Sequence, residues 1–137
     1  METIRAVCAI IYCDGKVLAT KRADAAGPGC WEFAGGKIEA GETPEQACRR
    51  ELLEEQGIAL QVLWYLDTLE HDYPEFHLSM DMFVAPLSGV RDRIADDEDR
   101  RWLSQDALLD VAWLPADERI AHILGTMWDQ LFAEEHL

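Results

Sequence analysis

The stretch GKIEAGETPEQACRRELLEEQGI, residues 36–58, decides how this chain folds. Its centre reads as a helix with both ends marked. Thr43 stands at the N-cap, Pro44 at the first helical position, Gln46 where it closes a capping box, and Gly57 where a C-terminal cap belongs. The predicted helix runs from Pro44 to Gln56. Glu54 and Glu55 then fall about 60° and 40° to either side of Glu51, so three carboxylates share one arc. At roughly 6 Å and an effective dielectric of about 20, each pair repels by on the order of 3 kcal/mol. The arc is either a solvated acidic face or a socket for a divalent metal ion. Arg50 can pair with Glu54 one turn on. Just upstream, Gly35 and Gly36 allow close backbone approach, which suits a phosphate-bearing ligand or a packed helix.

Outward from this helix, the N-terminal side reads as a β-hairpin. Ile4 to Tyr12 is a nearly continuous apolar run, Asp14-Gly15 supplies the turn, and Lys16 to Lys21 is the return strand. Asp24 to Cys30 is Ala-, Gly- and Pro-rich and reads as a loop, and Trp31 to Phe33 as a short extended piece ending at the glycine pair. On the C-terminal side, Leu60 to Glu70 and Leu78 to Ala85 carry strand patterns separated at Tyr73-Pro74. An acidic loop, Asp96 to Asp99, leads to Trp102-Leu103-Ser104. Gln105 to Leu109 and Pro115 to Glu135 have helical spacing, the latter with apolar positions at Ile120, Ile123, Leu124, Met127, Trp128 and Leu131.

A chain of 137 residues, 49% of them hydrophobic, is long enough for one compact domain, 1–137. No signal-peptide pattern opens it and no apolar run could span a bilayer, so a soluble, cytoplasmic protein without membrane partners is expected. Cys8, Cys13, Cys30 and Cys48 have no metal-site spacing with each other or with His71 and His77, and read as core thiols in a reducing compartment. Twenty-seven acidic against twelve basic residues, a formal net charge of -15, argue against binding a nucleic acid polymer.

The spacing narrows the choice at the acidic arc. Gly36, Glu42, Arg50-Glu51-Leu52, Glu54-Glu55 and Gly57-Ile58 fit G-x5-E-x7-R-E-U-x-E-E-x-G-U, U being a bulky aliphatic, at all nine constrained positions. This resembles the Nudix hydrolase family. The stretch WEFAGGKIEAGETPEQACRRELLEEQGI is similar to the MutT-type branch, and TKRAD, DYPEFHLSMDMF and RWLSQDALLDVAWLPADERI continue the likeness more loosely through most of the chain. The resemblance implies an α/β fold, the Nudix α/β/α sandwich with a mixed central sheet. It also implies attack of water on the phosphorus of a small-molecule nucleoside triphosphate, giving a monophosphate and pyrophosphate.

On that reading Glu51, Glu54 and Glu55 bind Mg²⁺, with Mn²⁺ as an alternative, to neutralise triphosphate oxygens and activate water. Glu51 is the candidate general base, Arg50 orients a carboxylate, and the Gly36 carbonyl is a further ligand. Glu42 either serves the metal, directly or by holding one of its ligands, or is a favourable charge near the helix N-terminus. Asp96 falls where the family commonly places another carboxylate, six residues before a Trp, with Glu98 as the alternative. Arg22 and Lys37 are candidate phosphate or sugar contacts, each with a surface salt bridge as its rival. Tyr73 and Phe76 are candidates for stacking on the base. Asp117 occupies the position resembling the base-reading Asn of the 8-oxo-dGTP hydrolases, or else caps or decorates the last helix; as a base reader, an ionised carboxylate only accepts, which favours bases that offer donors. 8-oxo-dGTP is therefore the lead substrate, with CTP, dCTP or a modified pyrimidine triphosphate next. A non-catalytic nucleotide-binding module is the rival of another class, and both monomer and homodimer remain open.

Overall fold

The structure, a computed structural model, describes residues 1–22, 29–87 and 94–132. The loop expected at 24–28 and the helical pattern of 133–135 lie outside the described residues. The elements are β1 (Thr3–Cys13), β2 (Lys16–Lys21), β3 (Trp31–Glu32), β4 (Gly35–Lys37), α1 (Pro44–Gln56), β5 (Trp64–Asp72), β6 (His77–Pro86), β7 (Arg100–Leu103) and α2 (Pro115–Phe132). Backbone contacts group them into two compact units, residues 1–11 with 34–85 and residues 12–33 with 86–137.

In the first unit β4 pairs antiparallel with β1 through Ala6↔Lys37, Val7↔Gly36 and Cys8↔Gly35. Glycines are poor strand formers, and this strand was not evident in the sequence. The structure shows why they are there: a methyl group on Gly35 would lie 2.1 Å from the Val7 carbonyl oxygen and 2.8 Å from the Cys8 Cα. The glycine pair thus serves strand packing at its first position. β5 and β6 form an antiparallel hairpin, closed by a turn in which the Tyr73 N–H donates to the Phe76 carbonyl at 2.9 Å. β5 begins at Trp64 rather than Leu60, because the Leu60 carbonyl accepts from the Arg49 guanidinium of α1 instead of joining a strand ladder.

Helix α1 has the predicted bounds. Thr43 Oγ1 accepts from the Gln46 N–H at 3.1 Å and Gln46 Oε1 from the Thr43 N–H at 2.9 Å, a complete capping box. Gly57 closes the other end in the left-handed region, φ 67°, with its N–H on Leu53 and that of Ile58 on Leu52. Ala47, Cys48 and Leu52 form the buried face, and burial pushes the Cys48 thiol up to about 12, an inert core thiol as expected.

In the second unit the end of β1 turns into β2 through Asp14 (φ 52°) and Gly15 (φ 80°), pairing Cys13 with Lys16 and Tyr12 with Val17. This is the two-residue hairpin read from Asp-Gly. β2 also pairs antiparallel with β3 and with β7, a strand to which the sequence reading assigns no element. The helix expected over 105–109 is only a 3-10 turn, Gln105–Ala107. On α2, Ile120, Leu124, Trp128 and Leu131 are buried, and Phe132 stacks on Tyr12 with ring centroids 4.0 Å apart.

β6 runs in the same direction as β1. The His77 N–H donates to the Glu2 carbonyl and, ten residues on along both strands, the Leu87 N–H to the Tyr12 carbonyl. Parallel and antiparallel pairs together make the sheet mixed, as expected. No helix among the described residues is long and apolar enough to cross a membrane.

Two substitutions test this frame by chemical denaturation. Thr43→Ala removes one half of the capping box and is expected to lower stability by about 1 kcal/mol. Gly35→Ala sets a methyl against backbone that cannot swing aside and is expected to cost about 1–3 kcal/mol or more. Wild-type stability in Gly35→Ala would contradict the β1–β4 register.

Candidate active site

Within the first unit, α1 carries the acidic arc and the preceding loop delivers its counterpart. Arg50 sits at the centre. Its Nε and Nη2 form a fork on Glu42, at 2.5 Å to Oε2 and 2.9 Å to Oε1. Nη2 also donates to the Lys37 carbonyl at 3.1 Å. Nη1 donates to Glu51 Oε1 at 2.8 Å and to Glu54 Oε1 at 3.0 Å, and Glu39 Oε1 lies 3.5 Å from Nε. The repulsion expected between Glu51 and Glu54 is met here by a shared guanidinium.

These contacts set the local electrostatics. The hydrogen bonds it donates to Glu42, then to Glu51 and Glu54, hold the Arg50 guanidinium firmly protonated. Arg50, and next the Glu39 N–H, hold the Glu42 carboxyl below the usual carboxylate range. Both Glu42 oxygens are spent on these donors, so it braces Arg50. The predicted Arg50–Glu54 pair is present, but the Glu42 fork is the tighter contact. Nothing local could reveal it, since the partners are eight residues apart across a turn.

Gly36 has its own reason to be glycine. A methyl there would fall 2.4 Å from Glu51 Cδ and 2.6 Å from both carboxylate oxygens. The missing side chain makes the space in which the Glu51 carboxylate lies. Glu55 is exposed on the same arc, and Glu54 is mostly exposed. Among the described residues no three Asp, Glu, His or Cys side chains stand close enough together to enclose a metal ion. The donor chemistry nevertheless fits a hard divalent cation. Oxygens of two glutamates already converge on one positive nitrogen, and a third carboxylate shares their arc.

The other first-unit candidates are less engaged. The Lys37 side chain is exposed, and only its carbonyl meets the cluster. Tyr73 and Phe76 are half-buried in the β5–β6 turn and stack on each other at 5.0 Å. Beside them His77 was missed as a structural element: Nδ1 lies 2.6 Å from Asp72 Oδ1 and Nε2 2.6 Å from Glu70 Oε1. These two carboxylates, Asp72 first, raise the imidazole above its usual range.

In the second unit, Asp117 opens α2 with only 5% of its surface exposed, and its Oδ2 accepts from the Phe33 N–H at 2.9 Å. Burial pushes its carboxyl up to about 7, against the pull of that hydrogen bond and of the Arg22 charge. The sequence reading takes this group as ionised, and burial shifts it toward the acid form. Near neutrality the acid form is also present and can donate as well as accept. Phe33 in turn stacks on Trp113 at 4.5 Å. Arg22 forms the surface pair that was its rival reading, Nη1 to Glu32 Oε1 at 3.4 Å. Asp96 is exposed, with Oδ1 3.3 Å from the Trp102 N–H, while its neighbour Asp97 accepts from the Asp99 N–H and pairs with Arg100.

The NUDIX domain profile matches residues 2–124. The chain is 34% identical over 118 residues to the CTP pyrophosphohydrolase of Escherichia coli K12, covering 85% of this chain and 87% of that protein. To the 8-oxo-dGTP diphosphatase of Proteus vulgaris it is 52% identical over 56 residues, 41% of this chain and 50% of that protein. Its match to the 8-oxo-dGTP diphosphatase of E. coli K12 covers 53% of that protein, so the chain spans about half the length of these two relatives. Among solved structures, the E. coli ORF135 protein superimposes with a TM-score of 0.74 at 32% identity, over 93% of this chain and 91% of the other. A structure from work on MutT of Aliivibrio salmonicida and Vibrio cholerae gives 0.69 at 28% identity, over 92% and 99%. The likeness thus runs through both units and far beyond the acidic helix, and the chain belongs to the NUDIX domain family.

Proposed function

We propose that the protein is a Mg²⁺-dependent nucleoside triphosphate pyrophosphohydrolase that clears damaged nucleotides in the cytoplasm, with 8-oxo-dGTP as its lead substrate. The observation that carries this reading is the convergence of Glu51 and Glu54 on a single cationic nitrogen, inside a complete family motif. Nudix hydrolases generally use a divalent metal ion. Glu51, Glu54, Glu55 and the Gly36 carbonyl would hold it, with Asp96 as a further candidate. When bound, such an ion neutralises phosphate oxygens and activates water. Glu51 takes the proton of the attacking water as its oxygen bonds to phosphorus. The P–O–P bridge breaks, giving nucleoside monophosphate and pyrophosphate. Arg50, braced by Glu42, turns Glu51 toward the place where the ion would bind. Arg22 and Lys37 contact phosphate or sugar, Tyr73 and Phe76 flank the base, and Asp117 reads it.

The relative named CTP pyrophosphohydrolase, with its long alignment, supports a second reading in which CTP or a modified pyrimidine triphosphate is preferred. Asp117 serves either. Its ionised form accepts from an exocyclic amine or a ring N–H, and its acid form donates to a ring nitrogen or carbonyl. The acidic surface disfavours a nucleic acid polymer as partner.

Turnover on a panel of canonical and oxidised nucleoside triphosphates with Mg²⁺, assaying pyrophosphate and orthophosphate separately, tests the assignment. Pyrophosphate release led by 8-oxo-dGTP, and abolished in Glu54→Gln, is expected. A lead for CTP would select the second reading, and binding without turnover would favour a nucleotide-binding module. Gly36→Ala displaces the Glu51 carboxylate by about an ångström and is expected to lower kcat about 10²-fold with the fold intact; unchanged kcat would remove Glu51 from the chemistry.

Asp117 gives a pH test. Its carboxyl rises from the ordinary 3.8 to about 7 on folding, so the folded state holds the proton more tightly. The corresponding stability is present below pH 3.8 and is lost as pH rises toward 7. Asp117→Asn removes this loss. The stability of the variant relative to wild type is expected to increase from pH 4 to pH 7.5 in paired thermal melts. A constant difference would show that burial does not perturb Asp117.

A further inference from the structure

We infer that Arg50 works with two separate edges: Nε and Nη2 anchor it permanently on Glu42, while Nη1 is a resident cation that Glu51 and Glu54 exchange for a divalent metal ion. This rests on the metal-dependent reading above and deepens it.

The anchoring edge is complete without the catalytic glutamates. Nε and Nη2 take both oxygens of Glu42, and Nη2 takes the Lys37 carbonyl as well. Glu42 is itself fixed by the Glu39 N–H at 2.8 Å. The anchors sit at the end of β4 and in the loop before α1, and the Glu42 side chain is only 17% exposed. The guanidinium therefore keeps its place whether or not Glu51 and Glu54 stay on Nη1. A planar fork on a carboxylate is a geometry that Arg supports and Lys does not.

The opposite corner is fully spent. Nη1 carries two N–H donors, and the structure gives one to Glu51 Oε1 and one to Glu54 Oε1. Those two oxygens lie on successive turns of the arc proposed to hold metal. One guanidinium faces four carboxylates, Glu39, Glu42, Glu51 and Glu54, so the cluster retains a net three negative charges. A divalent ion brings twice the charge of Arg50 and prefers hard carboxylate oxygens. It wins Glu51 and Glu54 from a guanidinium corner whose loss leaves the Glu42 fork intact. Meanwhile Nη1 keeps the two carboxylates converged, so the cation meets a formed pair rather than two repelling side chains. Arg50 is thus a positioning residue that acts on Glu51 and Glu54 before the ion arrives.

The test is a Mg²⁺ titration of the full chain at fixed ionic strength, followed by NMR of the arginine guanidinium nitrogens and protons, with calorimetry on the same sample. The expected result is that the Arg50 Nη1 signals shift with a midpoint equal to the calorimetric Kd while the Nε signal holds its position. Calorimetric binding with no change at Nη1 would overturn the exchange while leaving the metal-dependent reading standing. Movement of Nε together with Nη1 would overturn the fixed anchor. Absence of Mg²⁺ binding by calorimetry would overturn the metal-dependent reading itself, and the exchange with it.

Discussion

Like charges on one face of one helix are the constraint around which the first unit is arranged. Glu51 and Glu54 stand on successive turns of α1, and their repulsion has to be met by a positive charge held in a fixed place. Arg50 is that charge, and its placement in turn requires Glu42, the Glu39 N–H and the Lys37 carbonyl. The loop between β4 and α1 is therefore as much a part of the site as the helix. Gly36 completes the arrangement by leaving room for the Glu51 carboxylate against the strand, and the capping box fixes where α1 starts relative to that strand.

The second unit is governed by a different cost, that of burying a carboxyl group. Asp117 is removed from water with one strong partner, the Phe33 N–H, and its proton is retained to near neutrality as a result. A residue balanced between acid and carboxylate at neutral pH can present either hydrogen-bonding pattern.

Much of this was legible in the sequence where the signal is local. The limits of α1, the Asp14-Gly15 hairpin and the core face of α2 follow from caps, turn chemistry and periodicity, and all three are as read. The nine-position motif already carries the resemblance to the family to which the chain belongs. What escaped reading depends on distant partners. β4 is built on two glycines that no propensity marks as strand, and β7 exists because β2 accepts it. The Glu42 fork, the placement of Gly36 under Glu51, the Phe33 N–H on Asp117 and the His77 bridge between Asp72 and Glu70 are all made by folding. Only the His77 bridge has a strand spacing, Glu70 and Asp72 being two apart on β5, and it becomes visible only once the hairpin register sets His77 opposite Asp72. Asp117 shows the limit most clearly, since its identity was visible but its protonation was set by burial.

The central claim is that the α1 carboxylates are the place where a divalent ion and a triphosphate meet. Crystals grown with Mn²⁺ and a non-hydrolysable nucleoside triphosphate, measured at the manganese absorption edge, test it most directly. The account predicts an anomalous peak in direct contact with carboxylate oxygens of Glu51, Glu54 or Glu55 and with phosphate oxygens of the ligand. A peak confined to the acidic run 96–99, or a triphosphate bound with no peak at α1, would contradict it.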